Sequence, residues 1–150
     1  MSPAQAVHND CGMGKIVLVD DDESVRRLYA TLLRSAGHEV IEREDTTELL
    51  DVLRRERPSL VLLDFSLPRE NGATACRRIK TTPDLMGTRV VMITAHDSFE
   101  SIRETAAAGA DGHLVKPVPL DRLLACVEQT SAPRPPQQSR IVRALRSLVQ

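Results

Sequence analysis

The chain has 150 residues, 41% of them hydrophobic and 27% charged, enough for one domain that buries roughly 68% of its unfolded surface. No apolar run approaches the roughly 20 residues that span a bilayer, and residues 1–14 lack the basic and apolar regions of a signal peptide, so a soluble cytoplasmic protein with a disordered N-terminal tail is expected. A net charge of -1, 2% aromatic residues and no Trp leave neither an overall pull toward nucleic acid nor platforms for stacking bases.

Cys11, Cys76 and Cys126 are odd in number and separated by 65 and 50 positions. That fits neither a disulfide framework nor a metal knuckle, so reduced bystanders are expected. From Lys15 the run Ile16-Val17-Leu18-Val19 is too short for a helix, rich in β-branched residues and stopped by three acids, which predicts a strand buried on both faces. Between Glu23 and Ala36, Val25, Leu28, Leu32 and Leu33 recur at helical spacing and Gly37 follows as a stop. A strand is predicted over 38–41. Next comes a helix introduced by Asp45 with Glu48 three residues later, in the manner of a capping box, and closed by Pro58. Further strands are predicted over 60–63, 90–93 and 112–115, with helices over 73–80, 98–108 (stopped by Gly109) and 120–130.

Five strands alternating with five helices predict an α/β fold with right-handed crossovers and a parallel sheet covered on both faces. In such a sheet a ligand sits beyond the carboxyl ends of the strands, where strand order reverses. The residues at those ends are Asp20, Asp21 and Asp22, then Asp64, Thr94 and Lys116. Carboxylates crowded at one edge repel one another, and a hard cation keeps them ionised. Mg2+ held by Asp20 or Asp21 with Asp64, waters and phosphate oxygens meets that need. A carboxylate can also act as nucleophile and form an aspartyl phosphate. Lys116 suits phosphate oxygens as a point charge, and Thr94 suits them as a hydroxyl donor.

Together these segments resemble the receiver domain of two-component response regulators, including the stand-alone chemotaxis type. The likeness runs over residues 15–130, through Ile16 to Glu23, Leu62 to Pro68 and on to Gly72, Val91 to Ala95, and Val115-Lys116-Pro117 with its cis-prone bond. The resemblance implies a flavodoxin-like, doubly wound five-stranded sheet in the order 2-1-3-4-5. It implies Asp64 as phosphoacceptor, Asp20 and Asp21 as the acidic pair around Mg2+, and the Ser66 carbonyl as a further metal ligand. Thr94 would be the switch hydroxyl and Lys116 the phosphate-pairing cation, while Asp22 is read as the N-cap of the first helix. The phosphoryl donor would be a histidine kinase or histidine phosphotransfer protein. Phosphorylation, by adding charge and acceptor oxygens, would draw Thr94 inward. The output face would be formed by the fourth helix, fifth strand and fifth helix, where His113 stands at the position of the family's switch Tyr or Phe. Ser66 and His96 occupy positions where family side chains tune access of the hydrolytic water, and Ala95 leaves the site reachable.

After residue 130, Pro133, Pro135 and Pro136 mark an extended linker over 131–139. Over 140–150, Ile141, Val142, Leu145, Leu148 and Val149 keep helical spacing opposite Arg140, Arg143 and Arg146. Residues 132–150 hold four arginines and no acid, leaving -5 for the rest. Such a short basic amphipathic helix is expected to dock on the domain, form a dimer contact, stay frayed or meet a partner, with membrane attachment weak. No DNA-binding output motif fits there, so any DNA binding is expected to be indirect. Two rival functions remain open. One is an Asp-nucleophile hydrolase, which would want an acid where Ser66 stands; the other is an interaction module that keeps the fold without the phosphorylation.

Overall fold

The computed structural model describes residues 14–95 and 98–131. His96, Cys11, almost all of the 1–14 tail and, but for Ser131, the linker and the 140–150 segment therefore lie outside the described residues. Within them, β1 (Lys15–Val19), β2 (Glu39–Arg43), β3 (Leu60–Asp64), β4 (Arg89–Thr94) and β5 (Gly112–Val115) alternate with α1 (Glu23–Ser35), α2 (Leu49–Glu56), α3 (Gly72–Thr81), α4 (Phe99–Ala107) and α5 (Leu120–Ser131). The strands are all parallel and lie in the order β2-β1-β3-β4-β5.

The continuous apolar runs follow from burial on both faces, because successive side chains of a strand point to opposite sides. Val17, Val19, Val61, Leu63, Val90 and Met92 pack with α2, α3 and the end of α4 through Leu53, Ile79 and Ala108. Their neighbours Ile16, Leu18, Leu60, Leu62, Val91 and Ile93 pack with α1 and α5 through Leu33, Leu123 and Val127. Two apolar layers thus hold one sheet, and its carboxyl edge is left for polar side chains.

Helix ends show where local signals succeeded and where they failed. Asp22 caps α1, its carboxylate accepting from the Ser24 and Val25 amides at 3.0 and 3.2 Å. Asp22→Ala should be less stable than Asp22→Asn, which removes the same charge but keeps the acceptor, by about 1 kcal/mol. Thermal unfolding of the pair checks this, and equal stability would contradict the cap. Gly37 and Gly109 take positive φ of 101° and 89° after their helices, as glycine stops should. The capping box expected at Asp45 and Glu48 does not form. Asp45 instead accepts from the Thr47 amide at 2.9 Å in a local turn. Glu48 sits in the left-handed region at φ 56° without a side-chain cap, so α2 begins only at Leu49. In α1 the inward stripe is Tyr29, Ala30 and Leu33, flanked by half-buried Val25 and Leu32. Leu28 is 52% exposed, because the i, i+4, i+8 row from Val25 runs through Tyr29, and Leu28 lies about 100° off it. β2 begins one residue later than its sequence pattern suggests and runs to Arg43. His38 is buried just before it, with Nδ1 accepting from the Gly14 amide at 3.3 Å. Cys76 and Cys126 are free thiols.

Candidate functional site

Strand order reverses between β1 and β3, since β2 lies on one side of β1 while β3, β4 and β5 continue on the other. The crevice beyond those two strands is where a doubly wound sheet binds ligand. Asp20 follows β1 and Asp64 ends β3, both inside that crevice and only 1% and 4% exposed. Asp21 is exposed beside them, and one carboxylate oxygen from each of Asp20, Asp21 and Asp64 lies within 4.8 Å of the others.

Lys116 reaches into the crevice from the end of β5, and its ammonium donates to Asp20 Oδ2 at 3.0 Å and Asp64 Oδ2 at 3.4 Å. The remaining oxygens are met by backbone. The Asp22 amide donates to Asp20 Oδ1 at 2.9 Å and the Ser66 amide to Asp64 Oδ1 at 3.2 Å. Thr94, 1% exposed, ends β4, and its carbonyl accepts from the Lys116 amide at 2.7 Å. That bond ties the end of β5 to the end of β4. The peptide from Lys116 to Pro117 is cis.

Burial pushes the Asp64 carboxyl up to about 6, with the Lys116 charge pulling it down and the Asp20 charge adding to the rise. For Lys116, burial favours the neutral amine, yet its hydrogen bond to Asp20 and the two carboxylate charges outweigh that and raise its pKa. The site therefore holds two buried acids on one cation, with more negative charge than Lys116 alone neutralises.

The donor set suits Mg2+. All the side-chain ligands are hard oxygens, and in an octahedron with bonds of about 2.1 Å opposite oxygens stand about 4.2 Å apart. Three carboxylate oxygens within 4.8 Å need only a small closure to meet that span.

Asp20, Asp21, Asp64, Thr94 and Lys116, expected at the strand ends, meet at one edge, with Ser66, implied by the resemblance, in the loop after β3, while the Asp22 side chain is taken up in capping α1. His113 stands apart, exposed near the start of β5. Two contributors, Arg26 and Tyr29, were missed, and a third, Gly72, was named only as the end of a matching segment. Arg26 on α1 donates to the Asp20 carbonyl at 2.8 Å and to Glu42 at 3.3 Å, bracing the loop after β1. Tyr29 is buried close enough to feel the charges of Lys116, Asp20 and Asp64; burial raises its phenol pKa and the Val118 amide opposes the rise. Gly72 opens α3 against the strand, where a Cβ would collide with the Asp64 carbonyl oxygen and the Met92 side chain. An arginine and a tyrosine on an ordinary amphipathic helix carry no local signal of such roles. Gly72 does carry one, as a glycine at the first position of a helix.

Comparison with known proteins agrees with this geometry. The sequence profile of the response regulator receiver domain matches residues 16–128. The response regulator MprA of Mycobacterium sp. (strain KMS) is 37% identical over 111 residues, which cover 74% of this chain and 47% of that protein. The chain thus spans about half the length of the curated relatives it matches. The high-resolution structure of chemotaxis response regulator CheY4 of Vibrio cholerae superposes with a TM-score of 0.73 at 30% identity, covering 79% of this chain and 98% of CheY4. The Mn2+-bound form of response regulator Rcp1 superposes with a TM-score of 0.65 at 27% identity, covering 77% of this chain and 90% of Rcp1. The fold and its acidic crevice define a phosphoacceptor class of signalling domain. The chain belongs to the response regulator receiver domain family of two-component systems. Members of that family accept a phosphoryl group with the help of Mg2+ and interact with histidine kinases and downstream targets. Among the described residues no helix is long and apolar enough to cross a membrane.

Proposed function

We propose that Asp64 accepts a phosphoryl group from a phosphohistidine on a histidine kinase or histidine phosphotransfer protein, and that the phosphorylated chain then changes its affinity for a partner protein. The observation that carries this reading is the Lys116 ammonium spanning Asp20 and Asp64 in the crevice. A carboxylate oxygen of Asp64 attacks phosphorus, the P–N bond breaks, and its electron pair leaves on the imidazole nitrogen, which takes a proton from solvent. Asp20, Asp21, Asp64 and the Ser66 carbonyl would hold Mg2+, which when bound offsets charge on the phosphoryl oxygens. Lys116 keeps its bond to Asp20 and turns its second donor from Asp64 to a phosphoryl oxygen. The Thr94 hydroxyl donates to another of those oxygens, which moves the end of β4 toward Asp64. Slow hydrolysis reverses the modification when water attacks phosphorus and the P–O bond to Asp64 breaks.

The partner face we assign to α4, β5 and α5 carries exposed apolar side chains on each element: Phe99, Val115 and Leu120. The receiver unit is assigned to residues 15–130, and the cytoplasm is the compartment that the free Cys76 and Cys126 suit. Incubation with phosphoramidate, a small P–N donor, should add one phosphoryl group by intact mass when Mg2+ is present, and none with a chelator. Uptake that ignores the chelator would count against the assigned metal ligands.

A further inference from the structure

We propose that Glu70 is a positioning residue for Mg2+: by tying Thr46 and Arg78 together, it holds the loop that brings the Ser66 carbonyl to the acidic crevice. The inference rests on the metal ligands assigned above and adds to them a support that lies outside the crevice.

Residues 65–71 join β3 to α3. Asp20, Asp21 and Asp64 would reach the ion with side chains that can adjust, whereas Ser66 would offer a backbone carbonyl, whose aim is set by the loop itself. The ends of that loop are fastened by backbone. The Phe65 amide donates to the Ile93 carbonyl at 2.8 Å, and the Gly72 amide closes back on the Phe65 carbonyl at 2.6 Å. Between these points the backbone does little. The Ser66 amide meets Asp64, Pro68 has no amide to give, and among the described residues the amides of Leu67, Arg69 and Glu70 find no backbone acceptor. Nor does any backbone amide among those residues donate to the Ser66 carbonyl. Phe65 and Leu67 lay partly buried side chains on the core, a contact that sets depth but is not directional.

Glu70 supplies the direction. Its side chain is 19% exposed, and its two oxygens accept from Arg78 Nη1 at 3.0 Å and Arg78 Nη2 at 2.6 Å. A paired, charge-assisted contact of this kind fixes a carboxylate in its plane. The oxygen facing Nη2 accepts a further bond at 2.6 Å from the hydroxyl of Thr46, which is buried between β2 and α2. Thr46 is anchored in turn, its carbonyl accepting from the Leu49 amide at 3.1 Å where α2 opens.

One carboxylate therefore joins the β2–α2 loop, the β3–α3 loop and α3. Arg69 and Asp45 face each other across the same two loops, but at 3.9 Å and with Arg69 largely exposed, and such a surface pair contributes little. On the other side of Glu70, Asn71 caps α3 by accepting from the Thr74 amide at 2.9 Å. With its oxygens engaged by Arg78 and Thr46, Glu70 acts through the loop and not as a ligand. Breaking the link would free the Ser66 carbonyl to drift while leaving the three aspartates where they are. Partners that orient a metal's ligands typically matter about tenfold or more in affinity.

The test is calorimetric titration of Mg2+ into the metal-free, unphosphorylated chain, with circular dichroism establishing that each variant is folded at the temperature used. Glu70→Gln, which keeps the shape but puts a donor where an acceptor stood, should weaken Mg2+ binding about tenfold. Thr46→Val changes no charge and should weaken it by a similar factor, which separates the link from the mere loss of a negative charge near the site. Thr46→Ser should bind as the wild type does. Combining Glu70→Gln with Thr46→Val should be no worse than Glu70→Gln alone, as for residues that act as one unit. Lys80→Met breaks a comparably buried pair with Asp111 near the amino edge of the sheet, and should lower stability without changing Mg2+ affinity. Phosphoryl uptake from phosphoramidate by Glu70→Gln should need about tenfold more Mg2+ to reach half its own maximal rate. Wild-type Mg2+ affinity in Glu70→Gln or in Thr46→Val would overturn the role of Glu70 and leave the metal ligands standing. Lys80→Met weakening Mg2+ as much as Thr46→Val would also overturn it. A wild type that binds no Mg2+ would remove the assigned ligands and their support together.

Discussion

Lys116→Met should destabilise the metal-free protein by about 3 kcal/mol at neutral pH, because it leaves buried acids without their cation. Methionine matches the length of the lysine stem but not its charge, and it strands Asp20 and Asp64, now held at 3.0 and 3.4 Å by the same ammonium. The loss is capped, since Asp64 can take up a proton and its pKa already stands at about 6. The cost should therefore shrink as pH falls through that value. Added Mg2+ should restore part of the stability by supplying charge to the same oxygens. Urea denaturation at neutral and mildly acidic pH, with and without Mg2+, reads all three effects. A variant as stable as wild type at neutral pH would contradict the bonding of Lys116 described above.

Asp64→Asn should have the opposite sign and stabilise the metal-free protein by about 3 kcal/mol at neutral pH, a gain that vanishes in acid. The Asp64 carboxyl titrates near 6 in the fold against an ordinary value of 3.8. A raised carboxyl pKa means that the folded state binds the proton more tightly than the unfolded chain does. Its contribution to stability is thus fully present below about pH 3.8 and is lost as pH rises through 6. Asparagine carries no such titration, so its stability profile should run flat where the wild type falls. The cause is burial first, with repulsion from Asp20 added and attraction to Lys116 opposing. The same strain gives Asp64 a reason to bind a cation or carry a phosphoryl group beside Lys116. An Asp64→Asn protein less stable than wild type at neutral pH would contradict this balance.

Much of the arrangement was legible because it is written in short-range pattern. The run from Ile16 to Val19 announced a strand buried on both faces, and the polar residues closing the runs at Asp20, Asp64, Thr94 and Lys116 marked the carboxyl edge that the sheet brings together. Signals that depend on packing did not read. Asp45 and Glu48 look like a cap, but the chain spends Asp45 on the Thr47 amide and starts α2 at Leu49. Leu28 looks like core, but the row from Val25 favours Tyr29. Arg26 and Glu70 give no sequence signal, since one works by bracing the Asp20 carbonyl and the other by meeting Thr46 and Arg78 from separate segments.

The central claim, that the Asp64 carboxylate is the group phosphorylated, is tested most directly by trapping the acyl phosphate. After phosphoramidate and Mg2+, borohydride reduces an aspartyl phosphate to homoserine, and peptide sequencing by mass spectrometry locates it. The account predicts homoserine at position 64 alone, absent without donor, without Mg2+ or after prior treatment with hydroxylamine. Homoserine at another aspartate, or a phosphoryl group that survives hydroxylamine on a different side chain, would contradict it.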